Sequence, residues 1–185
     1  MTTAFLFTAI SFSPQAGVLF VLAADDTSLE LGRYQMAAST GDGQFITTAT
    51  WSKAANLLFV SSPSDAPATS VSATTVPGIA HGLSAFNVSG PSCKLTLVWQ
   101  STLGLPWNSA DLGSNAPYTS PVVAGDVVYV GTGFNKKVVA VAASNGTMLW
   151  SATLKAPIFS APIVASGRIY ASDWSYGIGH VYGFW

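Results

Sequence analysis

One pattern recurs four times along the chain, and it constrains the fold more than any other feature of the sequence. Each copy has a short strand-like run, a small or polar turn pair, and a tight apolar run that ends near an aromatic residue. The copies are Ser11–Val21, Thr50–Val60, Pro121–Val130 and Pro162–Ala171. Their aligned aromatics, Phe20, Phe59, Tyr129 and Tyr170, are separated by 39, 70 and 41 residues. A strand pattern that repeats at this interval predicts a radially repeated β structure.

The third copy shows the complete unit. Gly125-Asp126 is a hairpin-type turn pair between two short strands, and Asn145-Gly146 is a second turn signal further along. The four strands are expected at Pro121–Ala124, Val127–Val130, Val138–Val141 and Thr147–Trp150. Four antiparallel strands in one repeat correspond to one blade of a β-propeller.

The apolar strands predict sheets that are covered on both sides. Their apolar residues are consecutive rather than alternating, which is typical of strands buried on both faces. Neighbouring blades cover each other in this way. We therefore predict an all-β chain of four-stranded antiparallel blades, about three blades plus a partial fourth, in one propeller domain over residues 1–185.

The four units have unequal lengths. The first is irregular, with Leu31–Met36 as its candidate third strand, and the fourth stops at Trp185 without a fourth strand. The second unit contains a Ser/Thr/Pro-rich run, residues 61–80, which we interpret as an exposed loop insertion. The predicted boundaries are 9–45, 46–118, 119–158 and 159–185.

Charge and composition exclude several functions. Only 8% of the residues are charged, the net charge is −1, and the seven basic residues are scattered, so no basic surface for nucleic acid is visible. Polar residues interrupt the apolar N-terminal run, which favours strands over a transmembrane or targeting segment. Cys93 is the only cysteine, so the chain cannot form an internal disulfide. Low charge with many Ser and Thr residues favours a secreted, periplasmic or cell-surface location, or a piece of a larger ring.

The segment Ala140–Trp150 closely resembles the repeat of quinoprotein-like propellers, also called the pyrroloquinoline-quinone (PQQ) repeat family. Ala140, Gly146 and Trp150 match at the family's spacing, whereas Ala142 replaces its usual Asp. This family includes quinoprotein alcohol dehydrogenases and the propeller scaffold of outer-membrane protein assembly. The resemblance covers residues from about 47 to 185, and it implies that the repeat tryptophans dock between blades. The structural repeat positions are Ala140, Gly146, Trp150, Trp99, Pro121, Tyr129, Pro162 and Tyr170.

The resemblance also implies a ring of seven or eight blades, which needs several hundred residues. The chain is therefore expected to be a fragment, with other blades of a larger propeller or a protein partner on its end faces. Alternatively, a smaller ring closes, and Thr2–Thr8 supplies the missing outer strand of the fourth blade. An open ring exposes two blade faces, which predicts self-association or a partner.

Few residues are candidates for chemistry. Asp25, Asp26 and Glu30 crowd one loop and are either solvated acids or Ca²⁺ ligands. His81 and His180 are candidate ligands or bases, although loop or packing roles are more usual for a lone histidine. Trp174 lies in a predicted loop and either stacks on a flat ligand or packs at a blade rim, and Trp107 and Tyr118 carry the same alternatives. The remaining acids are Asp42, Asp65, Asp111, Asp126 and Asp173.

Two functions remain open from the sequence. The first is a non-catalytic propeller segment that acts as an interaction platform outside the cytoplasm. Its variable surface would be residues 61–80 and the loops near Asp111 and Trp174. The second is a fragment of a PQQ-dependent alcohol or sugar dehydrogenase, which would bring PQQ and Ca²⁺. Such dehydrogenases often use a vicinal disulfide, which this chain cannot form, and no cofactor is predicted from the segment itself.

Overall fold

The computed structural model is all-β in the part of the chain that it describes. These residues are 5–8, 18–23, 25–26, 28–35, 47–63, 81–90, 93–104 and 119–185. They form fourteen strands in four antiparallel sheets. No helix long and apolar enough to cross a membrane is found among them.

The second and third sheets are complete four-stranded blades. In both, strands that follow one another along the chain are neighbours in the sheet, as short hairpin turns require. The second sheet consists of β4 (Thr50–Ser52), β5 (Leu57–Pro63), β6 (His81–Ser89) and β7 (Lys94–Ser101). The third consists of β8 (Val122–Ala124), β9 (Val127–Gly131), β10 (Lys137–Ala142) and β11 (Met148–Thr153).

The first and fourth sheets have three described strands each. The first contains β1 (Phe5–Thr8), β2 (Val18–Ala23) and β3 (Glu30–Gln35). The fourth contains β12 (Ile163–Ala165), β13 (Arg168–Ser175) and β14 (Ile178–Phe184). No described strand of the fourth sheet pairs with one of the first, so these sheets form an open, partial propeller.

Apolar clusters lie in each of the three spaces between successive sheets. The cluster between the second and third sheets is built around Phe59, Trp99 and Val139. Leu19 and Val21 of the first sheet pack with Leu58, Val60 and Phe86 of the second, and Val138 packs with Ala171 between the third and fourth. The consecutive apolar residues of β5 and β10 are therefore shared between two interfaces, as expected for strands covered on both faces.

The aligned aromatic of the first repeat, Phe20, does not lie on the face that its counterparts in the second and third repeats occupy. Phe59 packs toward the third sheet, and Tyr129 lines the space that faces the fourth. In β2, however, Leu19 and Val21 point toward the next sheet, whereas Phe20 lies on the opposite face, with the Arg33 guanidinium 5.5 Å from its ring centre. A shift of one residue in a strand exchanges its two faces, so the alignment through Phe20 does not hold.

Two further expectations are corrected by the strand pairing. Phe5–Thr8 pairs with β2, from Phe5↔Ala23 to Thr8↔Phe20, and so does not serve as the outer strand of the fourth blade. This strand also lies before residue 9, the predicted start of the first unit. The predicted insertion at 61–80 starts too early, because β5 continues to Pro63 and β6 begins at His81. Residues 64–80 lie outside the described part of the chain.

Candidate functional site

Trp99 joins the second sheet to the third. Its side chain is largely buried, and its Nε1–H donates a hydrogen bond of 2.9 Å to the backbone carbonyl of Ala143, in the turn after β10. Its ring lies 5.8 Å from that of Phe59, centre to centre. The indole therefore combines apolar packing with one directed bond to the neighbouring blade.

The turn that covers Trp99 is shaped for close approach. Gly146 has a φ of +71°, and a Cβ added there would lie 2.6 Å from the Trp99 ring. The Ala143 N–H donates to the carbonyl of Asp126 in the β8–β9 turn, 2.8 Å away. Asn145 accepts from the Thr147 N–H, which stabilises the turn locally. A turn of small residues with a glycine thus closes the space between these two sheets.

We expect Trp99→Phe to lower the free energy of unfolding by about 1–2 kcal/mol, because the buried Ala143 carbonyl loses its indole donor. The measurement is the urea midpoint of the whole chain. Trp150→Phe is the matched control, since Trp150 occupies the same repeat position and no described residue accepts a hydrogen bond from its Nε1. Equal losses in the two variants would contradict a stabilising role for the Trp99 hydrogen bond.

Trp150 lies at the corresponding place between the third and fourth sheets, but the surroundings differ. It is half-buried and packs edge-on against Phe184, with ring centres 5.1 Å apart. Beside it is an apolar cleft of about 700 Å³, whose lining includes Tyr129, Gly167 and Trp185. In the described structure, no turn covers Trp150 as the Ala143–Gly146 turn covers Trp99.

The outer face of the fourth sheet is apolar and exposed. We define this outer face by Ile163, Tyr170, Trp174 and Val181. Val181 is 78% exposed and Trp174 56% exposed. In the third sheet, the position equivalent to Val181 is Val138, which is fully buried against the fourth sheet. Val181 is therefore exposed on the outer face, whereas the equivalent side chain of the third sheet is buried against the neighbouring sheet.

Asp173 is the centre of a polar cluster on the opposite face of β13. Its carboxylate is buried and accepts five hydrogen bonds. Oδ2 accepts from the N–H groups of Lys155 and Ala156, at 3.1 and 2.9 Å, and from the Tyr182 hydroxyl at 2.7 Å. Oδ1 accepts from the backbone N–H and the ring Nδ1 of His180, at 3.1 and 2.9 Å. The cluster ties the link after β11 to the β13–β14 hairpin.

Two opposing effects set the pKa of Asp173. Burial alone would raise it, but the hydrogen bonds from Tyr182, His180 and the backbone outweigh burial and lower the pKa from 3.8 to about 2. Asp173 is therefore ionised at any physiological pH. With both oxygens occupied by the chain itself, the carboxylate is a structural anchor for the hairpin.

The sequence did not indicate this cluster, because its pattern predicts a loop at Asp173 and Trp174. Both lie within β13, which continues to Ser175, and His180 lies within β14. The β13–β14 pairing places His180 opposite Asp173, so the hairpin register is the signal that brings them together. His180 is 42% exposed and shares a hydrogen bond with no described serine, threonine or cysteine, so the described residues provide no nucleophile beside it.

The other candidate residues are separate from this cluster. Asp26 accepts bonds from the N–H and hydroxyl of Ser28, and Glu30 pairs with Arg33 at 2.6 Å, all at the surface. Across the described ranges, no three His, Cys, Asp or Glu side chains gather as metal ligands. The side chain of His81 lies outside the described atoms, as do Asp42, Asp65, Trp107, Asp111 and Tyr118.

The repeat residues occupy equivalent places in the sheets. Ala140 pairs with Tyr129 across β9 and β10, and Tyr170 pairs with Ile163 and Gly183 in the fourth sheet. Pro121 and Pro162 are buried immediately before β8 and β12. Of the predicted set, the structure brings Trp99 and Gly146 into direct contact.

Comparison with known families gives one match, over residues 96–184, to the family described as "Outer membrane protein assembly factor BamB". This range includes β8–β14 and most of β7. No curated protein matches the chain in sequence. The family match contains the two repeat tryptophans and the fourth-sheet hairpin.

Similar solved structures show the fold. A computationally designed protein, Ika4, is 11% identical, with a TM-score of 0.53 over 100% of this chain and 92% of its own. The β-propeller domain of Cps50 (Swd1) from Myceliophteria thermophila is 13% identical, with a TM-score of 0.57 over 98% of this chain and 53% of its own. A europium-containing methanol dehydrogenase is 12% identical, with a TM-score of 0.57 over 92% of this chain and 39% of its own.

These comparisons agree with the strand order and the sheet packing. The chain spans about half of the Cps50 propeller domain and a smaller part of the methanol dehydrogenase. At these identities the likeness concerns the fold alone. The chain is therefore a propeller-like chain with PQQ-type repeats in its second half.

Proposed function

We propose that this chain is a non-catalytic propeller segment that binds another protein, outside the cytoplasm. The observation that carries the proposal is the outer face of the fourth sheet. An exposed apolar sheet face whose equivalent in the third sheet is buried is typical of a surface that another polypeptide covers. The buried Asp173 cluster supports this role, because it fixes the β13–β14 hairpin that presents the face.

The location is supported by the family match, whose description refers to outer-membrane assembly, and by the low charge of the chain. A secreted, periplasmic or cell-surface protein fits both. The partner is another protein or further blades of a larger propeller.

A dehydrogenase fragment is the second candidate, since one structural relative is a methanol dehydrogenase. Among the described residues, no three His, Cys, Asp or Glu side chains gather as a site for the Ca²⁺ that such a role requires. The Asp173 carboxylate already accepts five bonds from the chain, and Asp26 and Glu30 are engaged by Ser28 and Arg33. Reduction of an artificial electron acceptor by an alcohol or sugar, using the purified full protein with PQQ and Ca²⁺, would establish this candidate instead.

The direct test is photo-cross-linking from the outer face in the full protein, within its source. A photoreactive amino acid replaces Val181, and the matched control places it at Lys53, in the exposed β4–β5 turn. We expect Val181 to cross-link to a separate polypeptide and Lys53 to give at least tenfold less product. Cross-links from Val181 that stay within the same chain, or none at all, would contradict binding of a separate partner through the outer face.

A further inference from the structure

The turn between β10 and β11 contains the only Asn-Gly pair in the chain, Asn145-Gly146. Asn145 is exposed, whereas Gly146 is buried against the Trp99 ring. In an Asn-Gly pair the next backbone nitrogen attacks the asparagine side-chain amide readily, because glycine has no Cβ to hinder the approach. The pair is therefore open to a spontaneous chemical change, and the fold decides whether the reaction proceeds.

The fold holds the attacking nitrogen of this pair in a hydrogen bond. The Gly146 N–H donates to the carbonyl of Ala142, 2.9 Å away, and the Ala142 N–H donates to the carbonyl of Thr147, 2.8 Å away. The Asn145 Oδ1 accepts from the Thr147 N–H at 3.0 Å. An amide nitrogen attacks only after it has lost its proton, and a buried, hydrogen-bonded proton is removed only when the turn opens. The closed turn is therefore protected from this reaction.

Opening of the turn is coupled to the interface between the second and third sheets. The Trp99 Nε1–H donates to the carbonyl of Ala143, which lies inside the turn, and the Ala143 N–H donates to the carbonyl of Asp126. A Cβ added at Gly146 would lie 2.6 Å from the Trp99 ring, so the glycine has little room to move while the indole is in place. The indole thus keeps the Gly146 N–H on its acceptor.

We infer that Asn145 is a deamidation site that the Trp99 interface keeps closed and that reacts when this interface opens. The Gly146 nitrogen loses its proton and forms a bond to the Asn145 Cγ. The bond from Cγ to Nδ2 breaks, and the side-chain nitrogen leaves as ammonia with that proton. Water then opens the cyclic succinimide at either of its carbonyl groups, which leaves aspartate or isoaspartate at this position. Water is the only co-reactant, and no electrons are transferred.

The isoaspartate product does not restore the closed turn. In isoaspartate the main chain passes through the side-chain carbon, so the backbone between Asn145 and Gly146 becomes longer. The contact of Gly146 with Trp99 depends on the ordinary spacing. The reaction therefore records each opening that lasts long enough for attack. It concerns the second and third sheets and is independent of the proposed binding through the outer face.

The test is peptide mapping by mass spectrometry after the whole chain has been incubated in mildly alkaline, isotopically labelled water. The label marks each asparagine that has deamidated. We expect the folded chain to react at Asn145 at least tenfold more slowly than the chain unfolded in guanidinium chloride. Trp99→Phe should raise the rate in the folded chain at least fivefold, because the turn loses its indole donor. It should leave the rate in the unfolded chain unchanged.

Val138→Ala is the matched control for a general loss of stability. Val138 is fully buried between the third and fourth sheets, so this change weakens the fold without removing a contact of Trp99. We expect it to deamidate at the wild-type rate. Equal acceleration by both variants would overturn the inference, since only global unfolding would then expose Asn145. Equal rates in the folded and unfolded wild-type chain, or no reaction at Asn145 in the unfolded chain, would overturn it as well.

Discussion

Replacing Asp173 by asparagine is expected to lower the free energy of unfolding by about 3 kcal/mol, because it breaks a buried, charge-assisted cluster. An asparagine amide can replace only one acceptor oxygen. Its NH₂ group would then face one of the two groups of donors, either at Oδ2, where Lys155 and Ala156 donate, or at Oδ1, where His180 donates. The urea midpoint of the whole chain measures the loss. Asp126→Asn, in the exposed β8–β9 turn, is the matched control and should cost less than about 0.5 kcal/mol.

The same substitution has a defined pH dependence. The pKa of Asp173 is about 2 in the folded chain, below its ordinary value of 3.8, so ionisation stabilises the folded state. This contribution is fully present above about pH 4 and is lost as the pH falls toward 2. The difference in stability between the wild-type chain and Asp173→Asn should therefore shrink between pH 5 and pH 2. A difference that stays constant over this range would show that the Asp173 charge does not stabilise the fold.

The strands of the third and fourth sheets could be predicted because short local turn sequences mark where they begin and end. Gly125-Asp126 and Ser166-Gly167 separate short apolar runs, and these pairs form the hairpin turns that the structure shows. The consecutive apolar residues of β10 also predicted burial on both faces correctly, since Val138 and Val139 belong to different clusters. Local turn chemistry and run length were sufficient for these elements.

Features that depend on register or on distant contacts could not be obtained in this way. The alignment through Phe20 failed because an all-apolar strand gives no alternation to fix its faces. The sequence pattern places Asp173 in a loop and does not indicate its burial, because that burial depends on the link after β11 and on Tyr182. The open cleft at Trp150 is recognised only by comparison with Trp99, whose covering turn lies 44 residues further along the chain.

Gly146→Ala is expected to lower the free energy of unfolding by about 3 kcal/mol, from two independent causes. An alanine at a φ of +71° is strained by about 1 kcal/mol. Its Cβ would also lie 2.6 Å from the Trp99 ring, and relief of such overpacking in a filled interface costs about 2 kcal/mol more. The loss is measured as the shift in the urea midpoint at constant slope.

The chain offers a control that separates these two causes. Gly167 has the same φ of +71° but has no atom within 4 Å of an added Cβ, so Gly167→Ala should cost only the strain, about 1 kcal/mol. In a Trp99→Leu background, Gly146→Ala should also cost only about 1 kcal/mol, because the indole is gone. If Gly146→Ala costs no more than Gly167→Ala in the wild-type chain, Trp99 does not require a glycine opposite it.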